Sequence, residues 1–438
     1  MDTSEDPLLP QAHGPIPKDR FHMVYFIFYL LGLGSLIPWN FFITASEYFK
    51  FKFRNTTLPD DEYLDPEHET DLQAMFESYL TLASTAPNLL FNLITTLLIS
   101  RIGLKVRMST ALFLITSMFV LTASLVKMNT DSWQDSFFWI TMITAVFINI
   151  GSSILGASLF GVASLFPSHY MQATMSGQAM GGIFAAVANL VTLALGSDVV
   201  DSGLGFFLFA TFMSICTLIG YASLYCINYS RYHILEIGNT LIVPVQVGED
   251  TVETRPTRSN GSGNTKLIIK RIWKEGLSVC LIFLVTVSCF PAVASSVVSV
   301  NNTDWTEKYF SGLVCFLLFN AGDWAGRSVA GTFKRPGIGK SNLLLVLSVM
   351  RVVFIPLIMF CNAQPRHDPV IFNSDAFPVI FIMLLGLTNG YLGTLAMMYG
   401  PSMVMAEHAE MTGAIMATCL TSGLVSGSLM AILLMKSL

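Results

Sequence analysis

The chain has 438 residues, of which 53% are hydrophobic and 12% are charged, about half the charged fraction of a typical soluble domain. This composition argues against a soluble fold, and the formal net charge of −5 gives no basis for nucleic-acid binding. The seven cysteines include no C-x-x-C pair. We therefore predict neither a disulfide framework nor a metal site, and no cofactor.

Apolar blocks of about 20 to 28 residues follow one another along the chain, each long enough to cross about 30 Å of hydrocarbon. Since backbone groups find no water in lipid, we expect each block to be a helix. The expected fold is an all-α polytopic membrane protein with eleven transmembrane helices. The predicted spans cover residues 21–46, 73–100, 108–127, 136–165, 171–196, 204–228, 273–299, 309–333, 341–361, 376–399 and 409–435.

Two polar stretches divide the chain. Residues 1–20 contain four prolines and no apolar block, so we predict a cytosolic N-terminal tail rather than a cleaved signal peptide. Residues 231–272 are predicted to form a flexible cytosolic linker. We therefore expect a six-helix bundle at 21–230 and a five-helix bundle at 273–438 around a central cavity, as in carriers whose halves rock about a midplane site.

The distribution of lysine and arginine predicts the orientation of the spans. With the N-terminus in the cytosol, fifteen of these residues lie on the cytosolic side and seven on the opposite side. The positive-inside rule thus places the N-terminus in the cytosol and the C-terminus in the lumen or outside the cell. Sequons at Asn55 and Asn301 then lie on the non-cytosolic side, and we predict that both are glycosylated. Sequons at Asn228 and Asn260 should stay unmodified.

The eighth predicted span carries charges that a bilayer normally excludes. Asp323 and Arg327 are four residues apart and Asn320 precedes Asp323 by three, so all three share one helix face. A charge at the bilayer centre costs about 2.5 to 3.5 kcal/mol, and such residues usually face a protein interior or a wet cavity. We interpret this stripe as a binding site for a polyhydroxylated solute. An intrahelical pair that merely neutralises itself would explain the same spacing.

Trp39 and Asn40 lie well inside the first predicted span. An indole offers a broad face to a flat ring, so we predict that this pair binds substrate. The alternative is an interfacial tryptophan of the aromatic belt. Small residues with polar inserts, at 177–182 and 389–391, are predicted packing sites. Arg351 is a third intramembrane charge, whose role the sequence leaves open.

Residues 32–42, 319–327 and 388–391 resemble the equilibrative nucleoside transporters. The resemblance covers nearly the whole chain. It implies an eleven-helix fold related to the major facilitator superfamily, with its 6+5 bundles, and facilitative transport of purine and pyrimidine nucleosides, with nucleobases as further solutes.

The resemblance also implies roles for residues of the site. Trp39 would stack near the nucleobase, and Phe316 would wall the base pocket. Asp323 and Arg327 would hold the ribose hydroxyls, with Asn320 nearby.

The chain departs from the plasma-membrane members of this family at four positions. Thr85 and Asn88 replace bulkier apolar residues and should make the cavity more polar, so we include both in the substrate site. Gly156 stands where those members carry a glutamine that binds the base. Ser152 replaces a glycine that accompanies sensitivity to nitrobenzyl-thioinosine-type inhibitors, so we expect reduced sensitivity.

These departures resemble the lysosomal, type-three branch of the family. We therefore expect a late endosomal or lysosomal membrane, with the plasma membrane as the alternative. In an acidic lumen, Asp198 and Glu410 are candidates for sensing pH. Residues 5–9 resemble an acidic dileucine signal, so sorting adaptors are expected partners besides the nucleoside and the lipid bilayer.

No G-x-x-x-x-G-K-[ST] loop occurs in the sequence, so we predict alternating access driven by the solute gradient. The alternative is transport of another small organic solute, such as a monoamine or organic cation, with proton linkage. Such a cation would need a free carboxylate as its binding site, which Asp323 could provide only if Arg327 were paired with another residue. We predict no enzyme, because an intramembrane aspartyl protease needs two deep aspartates and only Asp323 is deep. A structural or scaffolding membrane protein would not need the polar stripe formed by Asn320, Asp323 and Arg327.

Overall fold

The computed structural model describes residues 17–57, 70–196, 198–237, 261–301, 303–364 and 370–438. The predicted sorting signal at 5–9, the sequon at Asn260 and linker residues 238–260 lie outside them. Helices and the loops that join them make up the described residues, apart from an isolated antiparallel bridge between Val297 and Ala363. The helices before the linker are α1 (Met23–Thr44), α2 (Ser46–Lys52), α3 (Asp71–Leu98), α4 (Leu104–Leu125), α5 (Gln134–Ala163), α6 (Ser168–Leu195), α7 (Val199–Leu224) and α8 (Asn228–Arg231).

The later helices include two that change their winding along the way. A π-helical segment, Ser311–Leu318, joins α11 to α12, and a 3-10 turn, Arg351–Val353, joins α13 to α14. The helices after the linker are α9 (Gly261–Cys289), α10 (Ala292–Ser295), α11 (Asp304–Phe310), α12 (Phe319–Thr332), α13 (Ser341–Met350), α14 (Phe354–Met359), α15 (Ala376–Ser402) and α16 (Ala409–Ser437).

Nine helices among the described residues are both long enough and apolar enough to cross a bilayer. Two predicted spans are not among them: α3, and the continuous helix formed by α11, the π segment and α12. Both carry polar side chains that lower their hydropathy, Asn88 and Asn92 in α3 and Asn320, Asp323 and Arg327 in α12. The all-α prediction is confirmed, whereas the count of eleven spans stays a prediction.

The ends of α9 differ from the predicted span at 273–299. The helix begins at Gly261, inside the stretch predicted as linker, and ends at Cys289. Pro291 follows this end, and a proline supplies no N–H to continue the helical hydrogen bonds. The chain then turns through the short helix α10.

The helices run between two sides of the molecule. We name one the sequon side, because Asn55 and Asn301 lie there, exposed. Its loops are tied together, for example by Lys52 Nζ, which donates to the carbonyl of Met128 at 2.7 Å. We name the opposite side, where α1 begins, the basic side. There Lys334 Nζ donates to Ser168 Oγ at 3.3 Å.

Glycines let two helix pairs approach until their backbones touch. A Cβ atom placed at Gly177 in α6 would lie under 3.0 Å from the carbonyl of Tyr29 in α1. One placed at Gly390 in α15 would lie equally close to the carbonyl of Asp323 in α12. Real Cβ atoms do not approach so closely, so only glycine fits. The packing role predicted for both glycine motifs is confirmed.

Helices from before and after the linker meet along two lines. Along the first, α6 packs against α12; along the second, α16 packs against α3 and α5. In the second line, Asn92 Nδ2 donates to Thr421 Oγ1 at 3.2 Å and Thr418 Oγ1 donates to Asn92 Oδ1 at 2.9 Å. The two lines enclose a space between the halves of the chain, where the candidate site lies.

Candidate functional site

A cavity of about 580 Å³ lies between these two lines of contact. Its volume falls within the range of about 300 to 1,000 Å³ that is usual for small-molecule sites. Aromatic, aliphatic and uncharged polar side chains form its wall, and Glu47 is the one charged residue among the described residues that line it. The predicted substrate-binding residues in this wall are Trp39, Asn40, Thr85, Asn88, Phe316 and Asn320.

The cavity extends towards the sequon side, where the exposed Glu47 of α2 forms part of its wall. Towards the basic side, contacts between the two halves close it. Gln172 Nε2 in α6 donates to the carbonyl of Arg327 in α12 at 3.3 Å. Arg107 in α4 forms a salt bridge with Glu410 in α16. A solute would therefore enter this conformation from the sequon side.

Aromatic rings form one part of the wall. Trp39 is half-buried and lines the cavity, so it does not serve only as an interfacial residue. Phe316, carried by the π segment, packs edge-on against Phe290 with ring centroids 5.7 Å apart. Phe290 in turn stacks on Phe319 at 3.9 Å. These rings provide faces and edges against which a flat heterocycle can pack.

Uncharged polar groups of α3 and α5 form another part of the wall: Thr85 and Asn88 in α3, and Asn149 and Ser152 in α5. The hydroxyl oxygen of Ser152 is buried and has no hydrogen-bond partner among the described residues. At Gly156 a Cβ atom would meet no heavy atom within 4 Å, so the cavity is open where a longer side chain would fill it. This wall can exchange hydrogen bonds with a polar solute.

Asp323 and Arg327 lie behind the wall rather than in it, with only 3% and 4% of their surface exposed. Arg327 Nη2 and Asp323 Oδ2 form a salt bridge of 2.9 Å. Asp323 Oδ1 accepts from Asn389 Nδ2 at 2.7 Å. Arg327 Nη1 donates to the carbonyl of Met175 at 2.8 Å and to Gln178 Oε1 at 3.4 Å. The pair is sealed in this conformation, and its contact with a solute stays a prediction.

Arg351, whose role the sequence left open, is almost fully buried. Its guanidinium donates to the carbonyls of Ile282 at 2.7 Å and Leu385 at 3.0 Å. It also donates to the hydroxyls of Thr286 at 2.9 Å and Thr388 at 3.1 Å. Arg351 therefore ties α9 to α15.

A chain of hydrogen bonds links Arg351 to the ion pair. Thr286 Oγ1, which accepts from Arg351, donates to Asn389 Oδ1 at 2.8 Å. The amide of Asn389 then donates to Asp323, which pairs with Arg327. Because each residue along this chain bonds to the next, the chain holds the Asp323 carboxylate in one orientation.

The remaining predicted residues lie away from the cavity. Asp198 is exposed and caps the first turn of α7, where its Oδ1 accepts from a backbone N–H at 2.8 Å. Glu410 pairs with Arg107 near the basic side. Asn55 and Asn301 are exposed on the sequon side. Their predicted roles in pH sensing and glycosylation stay predictions.

Gln178 is not among the substrate-binding residues predicted from the sequence, because packing is the favoured interpretation of residues 177–182. It lines the cavity, is 7% exposed, and contacts both Arg327 and Ser35. The sequence does contain a sign of this role: a glutamine lies within a run of small residues in a predicted span. A polar side chain in a membrane span needs a partner.

Comparison with solved structures identifies the fold. The structure of a major facilitator superfamily transporter, FucP, in the outward conformation aligns with a TM-score of 0.57 and 11% identity, over 94% of this chain and 96% of that one. A second structure, of a variant of the Escherichia coli fucose:proton symporter FucP, aligns with a TM-score of 0.58 and 10% identity over the same shares. The predicted relation to the major facilitator fold is confirmed.

Comparison with known sequences identifies the family. A model of the family described as nucleoside transporter matches residues 142–436. Equilibrative nucleoside transporter 3 of Rattus norvegicus is 41% identical over 95% of this chain and 90% of its own length. Equilibrative nucleoside transporter 1 of Homo sapiens is 37% identical over 95% of this chain and 98% of its own. This chain therefore belongs to the nucleoside transporter family, whose members are transporters rather than enzymes.

Proposed function

We propose that this chain carries nucleosides across a membrane by facilitated diffusion through the central cavity. The observation that carries the proposal is the composition of the wall, where the rings of Trp39 and Phe316 line the same cavity as the uncharged amides of Asn88 and Asn320. A nucleoside has the matching parts, a flat base and a hydroxylated sugar. The printed names of the relatives, equilibrative nucleoside transporters 1 and 3, support the same solute class.

The proposed mechanism is alternating access. A nucleoside enters from the sequon side, loses water and packs its base against Trp39, while its sugar faces Asn320. The bundles at 21–230 and 273–438 then rock about the occupied cavity. For the basic side to open, the contacts that join the halves there, such as the salt bridge of Arg107 with Glu410, have to separate. The solute gradient sets the direction of net flux.

The charge of the site disfavours an organic cation as the solute. A cation carrier needs an unpaired carboxylate at its binding site, and Asp323 is neutralised by Arg327 at 2.9 Å. Glu47 lies exposed at the mouth of the cavity rather than in its depth. A neutral solute rich in hydrogen-bonding groups suits this wall better.

A competition experiment tests the solute class. In proteoliposomes that contain the purified protein, we expect excess unlabelled uridine to suppress uptake of radiolabelled adenosine to background, because both nucleosides compete for one cavity. An equal concentration of a monoamine should leave uptake unchanged. The reverse pattern, inhibition by the monoamine and none by uridine, would contradict the proposal.

For cellular location we propose a late endosomal or lysosomal membrane, on the sequence resemblance to the type-three branch. The N-terminal tail would then face the cytosol, where sorting adaptors can bind it. The sequon side would face the lumen, and the exposure of Asn55 and Asn301 on that side is compatible with glycans there.

Glu410 is the stronger of the two candidates for pH sensing, because it pairs with Arg107 across the two halves, whereas Asp198 only caps α7. Protonation of Glu410 removes its charge and weakens a contact that has to separate during transport. We expect uptake by the wild type to be higher at acidic than at neutral pH, because acid favours the state in which this contact has separated. The Glu410→Gln variant should transport at every pH at the rate that the wild type shows at acidic pH. The Asp198→Asn variant should keep the pH dependence of the wild type. A wild-type profile that is flat would refute this role.

A further inference from the structure

One side chain, that of Gln178 in α6, stands between the cavity and the buried ion pair. It forms part of the cavity wall, yet its Oε1 accepts from Arg327 Nη1 at 3.4 Å. Its Nε2 donates to Ser35 Oγ in α1 at 3.1 Å. Gln178 thereby joins the halves of the chain at the level of the ion pair, and a solute in the cavity meets this amide before it meets Arg327.

Arg327 has hydrogen-bonding capacity that the protein leaves unused, whereas both oxygens of Asp323 are engaged. Asp323 accepts from Asn389 at one oxygen and from Arg327 at the other. Arg327 Nε has no partner among the described residues, although the side chain is almost fully buried. Unpaired buried donors are rare in folded proteins and usually mark a strained or functional position.

The contact of Arg327 with Gln178 is the longest of those that the guanidinium makes with oxygen atoms. At 3.4 Å it is close to the limit for a hydrogen bond, while the contacts with Met175 and Asp323 measure 2.8 and 2.9 Å. The amide is also neutral, so it releases the guanidinium more readily than a carboxylate does. A solute oxygen can therefore take the place of Gln178 without breaking the ion pair.

We propose that Gln178 is a positioning residue for recognition of the sugar: it holds Arg327 until a hydroxyl oxygen of the nucleoside displaces it and accepts from the guanidinium. The inference rests on the proposed function and adds to it the basis of preference for a hydroxylated sugar. A sugar that carries hydroxyl oxygens engages Arg327, and a 2′,3′-dideoxy sugar lacks the groups to do so. Gln178 acts through Arg327 and sets how accessible that side chain is.

The test compares two replacements of Gln178 by their effect on sugar preference. Glutamate at this position would form a second ion pair with Arg327 and keep it from the solute. We expect Gln178→Glu to lower the preference for uridine over 2′,3′-dideoxyuridine, measured as the ratio of Vmax/KM values in proteoliposomes, by about tenfold, the size of one hydrogen bond to a charged group. Methionine fills the same space without competing for Arg327. In Gln178→Met we expect the preference for uridine over 2′,3′-dideoxyuridine to rise by about threefold, because uridine no longer has to displace an amide from Arg327.

A matched control is Gln172→Glu, on the same helix and equally buried, whose side chain contacts the carbonyl rather than the guanidinium of Arg327. Its rate can change, but its sugar preference should not. A merely structural role of Gln178 would alter uptake of both solutes alike and leave their ratio unchanged. Fluorescence-detected thermal unfolding of each purified variant monitors folding independently of transport.

The outcomes separate this inference from the proposed function. If the wild type transports uridine and Gln178→Glu keeps the wild-type preference, the inference is overturned while the proposed function stands. If Gln178→Glu does not fold, Gln178→Met decides alone: a tenfold or larger rise in its KM for uridine would mean that Gln178 itself binds the sugar, and would also overturn the inference. If the wild type transports no nucleoside, the proposed function fails and this inference with it.

Discussion

Uridine flux into proteoliposomes is expected to fall by about a hundredfold or more when Asp323 is replaced by asparagine. Asparagine keeps the shape of the side chain and can still accept from Asn389. It removes the negative charge that lies 2.9 Å from Arg327, however, and leaves Arg327 buried without a counter-charge. Breaking a buried pair from one side costs about 3 to 5 kcal/mol.

The double variant Asp323→Asn with Arg327→Gln separates stability from function. It removes both charges together, so no uncompensated charge remains buried at this pair, and we expect its thermal unfolding temperature to recover towards that of the wild type. Flux should stay absent, since neither charged group is left to bind the sugar. Recovery of flux along with stability would show that the pair is only structural, and full flux in the single variant would contradict the site assignment.

A second large loss of stability and of uptake is expected from Gly390→Ala, where α12 and α15 pack against each other. The new Cβ atom would lie under 3.0 Å from the carbonyl of Asp323 and from the backbone nitrogen of Arg327. Backbone cannot move aside as a flexible side chain can, so the helices have to separate. We expect a loss of roughly 3 kcal/mol in the free energy of unfolding, at the upper end for overpacked cores, together with loss of uptake because Asp323 is displaced. Thermal unfolding and uridine flux on the same preparation measure both.

Gly205→Ala in α7 is the matched control for this prediction. A Cβ atom there would meet no heavy atom within 4 Å, so the substitution changes only helix propensity. Since alanine is favoured over glycine in a helix by about 1 kcal/mol, stability should be unchanged or slightly higher. Equal unfolding temperatures for the two variants would show that α12 and α15 can adjust to the added methyl group.

The helical fold was predictable from sequence because lipid leaves a spanning backbone few alternatives to a helix. The changes of winding were not. The π segment Ser311–Leu318 is continuous with two α-helical segments and contains no proline that would mark a change of winding. There Gly312 packs against Leu190 of α6, a contact between segments far apart in sequence. Periodicity within one segment carries no information about such a neighbour.

The candidate site was also predictable only in part. Spacing alone placed Asn320, Asp323 and Arg327 on one face of a helix. It did not indicate that Asn320 reaches the cavity while the charged pair lies sealed behind the wall. That difference arises from α6, which brings a backbone carbonyl and the amide of Gln178 against Arg327. The role of Arg351 was hidden for the same reason, because its acceptors come from α9 and α15.

The low hydropathy of α3 and of the helix at 304–332 has a consequence for how the chain is inserted during synthesis. Both helices are less apolar than the nine helices counted above, so each partitions less readily than those from the translocon into lipid as a single segment. The salt bridge of Asp323 with Arg327 forms within one helix, so it can neutralise the nascent segment at once. Asn389, which completes the hydrogen bonding of Asp323, belongs to α15 and is synthesised later. The helix at 304–332 therefore gains its full set of partners only after α15 has been synthesised, and we expect the helices of this half to leave the translocon together rather than one by one.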